Sequence, residues 1–165
     1  KFQVVSKPND WAKAIKKSTS QSGLSDTKLM QLEFWTRFKE YAHNNNSSLR
    51  LRKAYPQHWY DISIGSSKAH LTLIVDTQNN QLRCEFYIPD SKDLFHALFD
   101  YKDEISKEID SNLEWMELEG KKASRIRRIL DIEVTTNGNW EQSFAWLMDQ
   151  SHKFQAVFGK YLKKI

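Results

Sequence analysis

Two groups of residues in this sequence carry side chains able to hold an anionic ligand. The first is Arg50, Arg52 and Lys53, followed by Gln57, His58, Trp59 and Tyr60. The second is Lys121, Lys122, Arg125, Arg127 and Arg128, with Ser124 among them. Guanidinium groups grip phosphates bidentately, Ser and Gln add neutral donors, and Trp or Tyr rings stack on bases. Acidic residues collect instead between Asp90 and Glu119, so the positive potential is polarised. The expectation is contact with the phosphates of DNA or RNA through Arg50, Arg52, Lys53, His58, Trp59, Lys121, Lys122, Ser124 and Arg125. If the strand of the second group lies near the first, the two merge into one positive surface. The competing reading is a solvated face, where charge on edge strands only blocks unwanted pairing.

Hydrolysis asks for more than cations. A metal-dependent nuclease of the restriction type uses an Asp followed, one strand later, by Glu-x-Lys; the carboxylates hold Mg²⁺ and the lysine positions the attacking water. Asp76 and Glu85 have that separation, but Tyr87 stands where the lysine belongs. Glu119-Gly120-Lys121 matches Glu-x-Lys, yet it falls in an expected turn and the acids upstream lie on or after a helix. A Mg-dependent nuclease is therefore the weaker alternative, and no catalytic residue, metal or cofactor is assigned. His58 and Asp61 suggest acid–base work, but His58 shares a strand face with Tyr60 and not with Asp61. His70 and Asp76 share a face several residues apart, as an ordinary polar sheet surface explains. His43, His96 and His152 fall in separate helices, without the i,i+4 pairing of a helical zinc motif.

The elements that position these side chains follow from periodicity. Ser25 or Asp26 caps a helix whose Met30, Phe34, Phe38 and Tyr41 stack on one face. Leu49–Lys53 alternates like a half-buried strand, interrupted by Pro56. Tyr60, Ile62 and Ile64, then Leu71, Leu73 and Val75, then Leu82, Cys84, Phe86 and Ile88 each alternate with polar neighbours, and short turns join them. That predicts an antiparallel meander with one buried face. A helix follows Pro89, with Asp90 and Asp93 at its start and Leu94, Leu98, Ile105 and Ile109 on one stripe. Leu113–Leu118 and Arg125–Val134 read as strands around a Glu119–Lys122 turn, with Ile126, Leu130 and Ile132 inward. A long helix opens after Asn137-Gly138-Asn139. Its Trp140, Trp146, Phe154 and Phe158 cover more circumference than one stripe needs, which suggests a protein-interaction or dimer surface as the alternative function. The whole is an α+β fold: five to six antiparallel strands with helices packed on one face.

At 165 residues and a net charge of +4, the chain suits one ordinary domain and permits an acidic partner without demanding one. Residues 24–165 form that domain. Residues 1–23, with five lysines to one aspartate and the tract STSQSG, read as a basic linker. No apolar run approaches the ~20 residues of a membrane span. The single cysteine, Cys84, rules out a disulfide framework and a cysteine-based zinc site. It reads as a small buried hydrophobe in a reducing, cytoplasmic setting. A start at Lys1 suggests a processed product or a piece of a longer protein.

The runs FW-x-x-F (Phe34, Trp35, Phe38), LRLRK-x-x-PQHWYDISIG (Leu49–Gly65) and LEWMELEGKKASRI (Leu113–Ile126), with the aromatic final helix, resemble an uncharacterised bacterial and archaeal domain family. Its members are often found C-terminal to restriction-endonuclease-like nuclease domains. The resemblance runs from about Gly23 onward, with PQHWYDISIG and GKKASRI as its specific parts. It implies a non-catalytic accessory domain beside a nuclease-like partner domain of the same protein, and it carries over no catalytic residue.

Overall fold

A computed structural model describes residues 23–135 and 138–165. The alternating central stretch is a meander of β1 (Trp59–Ile62), β2 (His70–Asp76) and β3 (Gln81–Ile88). A hairpin of β4 (Glu114–Met116) and β5 (Ser124–Asp131) completes the sheet. The order is β1-β2-β3-β5-β4, antiparallel throughout, so β5 lies beside β3 and β4 takes the far edge.

Parity decides the two faces. Tyr60, Ile62, Leu71, Leu73, Val75, Leu82, Cys84, Phe86, Ile88 and Ile126 are buried under the helices. Among the described residues four helices supply that cover: α1 (Asp26–Asn44), α2 (Lys92–Phe99), α3 (Lys102–Ile109) and α4 (Glu141–Leu162). Ser25 caps α1, its Oγ accepting from Lys28 N at 3.2 Å. Phe34 of α1 meets Trp140 at 5.1 Å and Phe144 at 5.0 Å, while Phe158 of α4 stacks on Phe86 of β3 at 4.2 Å. Each such ring pair adds roughly 0.5–1.5 kcal/mol beyond the area it buries. The aromatic abundance is thus used mainly inside one core.

Four expectations are corrected. Leu49–Lys53 is not a strand: no strand among the described residues pairs with it, and its alternation arises because Leu49 is buried and Leu51 half-buried between exposed Arg50 and Arg52. The helix expected after Pro89 is two helices. Ser91 caps the first, its Oγ accepting from Leu94 N at 3.2 Å, and the helix breaks at Asp100–Tyr101. Both stripes survive, since Leu94 and Leu98 serve α2 while Ile105 and Ile109 serve α3. The long helix starts at Glu141; Asn137 lies outside the described residues, as do the calls on residues 1–22. Finally, β5 starts at Ser124, and its register puts Ser124 opposite Ile88 and Arg128 opposite Cys84. Ser124 and Arg128 therefore point toward the helices, not outward with Arg125 and Arg127.

Candidate functional site: the outer sheet face and its basic margins

The face away from the helices is built around one carboxylate. Glu85 sits mid-way along the central strand, opposite Thr72 on one side and Arg127 on the other. It is 1% exposed. Arg125 Nη1 lies 3.2 Å from Glu85 Oε1, Arg83 Nε 3.4 Å from Oε2, and Arg127 Nη1 3.8 Å from Oε2. Two of these arginines have a second acid: Arg83 Nη1 reaches Asp76 at 3.0 Å and Arg127 Nε reaches Glu114 at 2.8 Å. Among the described residues Arg125 has only Glu85 as an acid partner, with its guanidinium 5.4 Å from the centre of the Tyr87 ring. A buried carboxylate is tolerable only when its charge is matched and its lone pairs are used, and the flanking guanidiniums supply both. Next to this cluster, Thr72 Oγ1 donates to Asp61 Oδ1 at 2.8 Å, and His70 Nε2 lies 3.5 Å from Asp61 Oδ2. His70 thus pairs with an acid of the neighbouring strand rather than with Asp76.

Asp76 anchors the β2–β3 turn. Burial pushes its carboxyl up, but hydrogen bonds from the Asn79 side chain and backbone and from Arg83 outweigh burial and hold it at about 2. Cys84 is fully buried and its thiol is pushed well up by burial, as an inert core residue requires.

The second basic group hangs on the β4–β5 hairpin. Leu118 and Gly120 both take positive φ, 59° and 81°, a conformation unfavourable for leucine. Lys92, at the start of α2, holds the bend. Its ammonium donates to the carbonyls of Glu117, Leu118 (3.3 Å) and Ala123 (2.8 Å) and to Ser124 Oγ (3.1 Å). Ser124 Oγ in turn donates to Glu117 O at 2.9 Å. Ser124 is thus a buried brace of the hairpin, not a donor to a ligand. The hairpin presents Lys121 and Lys122 to solvent, four and three residues before outward-facing Arg125. Glu119-Gly120-Lys121 is exposed within this turn. Among the described residues no group of three or more His, Cys, Asp or Glu could hold a metal ion.

The first basic group borders the opposite edge. Arg50, Arg52 and Lys53 are exposed in the coil leading to β1, which Tyr60 fastens by donating its hydroxyl to Arg52 O. Burial, opposed in part by Arg52, pushes that phenol up to about 12. Trp35 Nε1 donates to Gln57 O at 2.8 Å, so α1 and β1 pin both ends of the arm. His58 and Trp59 are exposed, Trp59 facing outward. Three strand steps, roughly 14 Å at the usual spacing, separate β1 from β5. The sheet order therefore keeps the two groups on separate margins and does not merge them into one patch. Arg128 belongs to neither, because it pairs with Asp110 at 3.3 Å on the helix side.

Sequence reasoning missed Glu85 as the hub, Arg83 beside it, and Lys92 as the hairpin's brace. The alternation already put Arg83 and Glu85 on the polar face, but which cations met them depended on the pairing of β5 with β3. The expected surplus of aromatics on α4 also shrinks: Trp140, Phe154 and Phe158 are in the core, and only Trp146 remains half-buried. No helix among the described residues is long and apolar enough to cross a membrane.

Neither the comparison with curated proteins nor that with solved structures yields a match. Residues 30–162, which include the arm, the whole sheet and all of α4, match one family model, and the chain belongs to that family, described as Domain of unknown function (DUF4268).

Proposed function

We propose that this chain is a non-catalytic accessory domain of a nuclease-like protein of the bacterial cytoplasm, which contacts nucleic-acid phosphates through two separate basic margins. One observation carries the reading. Arg50, Arg52, Lys53, Lys121 and Lys122 are exposed and have no ion-pair partner among the described residues, whereas Arg83 and Arg127 are each engaged by two acids. Unpaired surface cations are available to exchange counterions for phosphates; those held by two acids are not. Arg125, 27% exposed and bound only to Glu85, joins the hairpin group. The nuclease association rests on the family resemblance of the quoted motifs. Neutral donors near the phosphates come from Gln57 and His58 rather than from buried Ser124.

The test is the salt dependence of binding to labelled duplex and single-stranded oligonucleotides. The logarithm of affinity should fall linearly with that of salt, with a slope near −0.9 per duplex phosphate engaged. Neutralising Lys121, Lys122 and Arg125, or Arg50, Arg52 and Lys53, should each flatten that slope independently, as expected for sites at opposite edges. Absence of binding at low salt overturns the proposal.

A further inference from the structure

At the end of the sheet remote from the Lys121 hairpin, α1, the entry to β1 and the β2–β3 turn enclose a cleft of about 370 Å³. Its charged groups answer each other. Asp76 Oδ1 accepts from the backbone N–H groups of Gln78 and Asn79, and Oδ2 accepts from Asn79 Nδ2 and Arg83 Nη1. What the cleft still offers is uncharged: Gln31, His58, Thr27, Thr77 and Gln78. Gln31 is 9% exposed, and its carboxamide has no hydrogen-bond partner among the described residues. Nor is that amide sealed from the cleft, unlike Gln150 Oε1 in the core. Buried polar groups are nearly always partnered, so Gln31 calls for an occupant that brings a donor and an acceptor side by side.

A phosphate is a poor occupant, since Arg83, the cation among the described residues lining the cleft, is already held by Asp76. A planar heterocycle suits it better. A carboxamide presents a donor and an acceptor at the spacing that reads adenine N6 and N7, and an imidazole offers a face on which a base can stack. The cationic arm leads into the cleft: Arg50, Arg52 and Lys53 lie in the coil that runs on through Gln57 to His58, which lines it. The geometry points to a site for one unpaired nucleobase of a single-stranded nucleic acid, read by Gln31 and His58, with the adjoining phosphates running along Arg50, Arg52 and Lys53. This assignment rests on the nucleic-acid reading above and adds to it a preference for unstacked bases.

Two experiments on the full chain separate the claims. Adenosine carries no phosphate, so its titration into isotope-labelled protein should shift the Gln31 side-chain amide and the His58 ring resonances. Gln31→Met, which keeps the side chain's length and removes an amide that has no partner among the described residues, should fold and should abolish the effect. An adenine oligonucleotide should bind about tenfold more tightly than an abasic strand of equal phosphate count, and Gln31→Met should remove that difference while leaving abasic binding unchanged. No response to adenosine up to about 10 mM, the range of weak single-base binding, means the cleft holds water only and overturns the inference. Equal affinity for the two strands overturns it as well, while salt-dependent binding of both leaves the phosphate reading standing.

Discussion

Arg125 Nη1 stands 3.2 Å from the Oε1 of Glu85, a carboxylate 1% exposed in the middle of the polar face of the sheet. The pair joins strands β3 and β5, which are far apart in sequence, and Arg83 and Arg127 close around the same acid. Removing one partner of a buried ion cluster costs about 3–5 kcal/mol, because the remaining charges keep their burial without their counter-charge. The arginines here retain some solvent, so Glu85→Gln should cost about 3 kcal/mol. Urea unfolding monitored by tryptophan fluorescence checks this: the midpoint should fall at unchanged slope. A shift worth less than about 1 kcal/mol shows that water already screens the cluster.

Lys92 should matter through geometry as well as charge. Lys92→Met leaves the carbonyls of Glu117, Leu118 and Ala123 without their donor, at a cost of about 2 kcal/mol. Amide exchange at Lys121, whose N–H donates to Leu118 O at 3.0 Å, should accelerate selectively. Lys92→Arg should not rescue it, because a planar fork cannot point three donors into this tripod of carbonyls.

Acid should loosen the β2–β3 turn before the rest of the sheet. The Asp76 carboxyl is held at about 2, below its ordinary value of 3.8, so its contribution is complete above the ordinary value. That contribution is lost as pH falls toward about 2, where the folded-state carboxyl takes its proton. Asp76→Asn should remove this part of the acid dependence and cost about 1 kcal/mol at neutral pH, since the site is partly solvated. Thermal unfolding of both proteins between neutral pH and the acid limit decides it; parallel curves contradict the assignment.

The aromatic layer should show a sharp positional contrast. Phe158 is fully buried and stacked on Phe86, so Phe158→Ala should cost about 3–5 kcal/mol. Trp146 is only half-buried, and Trp146→Ala should cost less than half as much. Equal losses at the two positions would mean that Trp146 is covered in solution, which sedimentation at several concentrations would reveal as self-association.

Much of the architecture was readable along the chain. Period-two alternation at Tyr60–Ile62, Leu71–Val75 and Leu82–Ile88 marks strands because successive side chains on extended backbone take opposite faces, a purely local rule. The helical stripes of Met30–Tyr41 and Phe144–Phe158 follow equally local geometry. The same rule misleads at Leu49–Lys53, where alternating burial occurs without any partner strand to pair with. It also misses the break at Asp100–Tyr101, because the stripe continues through a bend that keeps both helices on the core.

The site was legible only in its ingredients. Residue order alone determined which side chains are cationic, that Cys84 lies on the buried face of a strand, and that Arg83 and Glu85 share a face. Tertiary structure alone decided that β5 pairs with β3 rather than with the β1 edge. That pairing sends Arg125 and Arg127 to Glu85, turns Ser124 and Arg128 inward, and holds the two basic groups on opposite margins. Strand order and register depend on how all the apolar faces are buried together, and a one-residue shift in register exchanges the faces of every side chain in the strand.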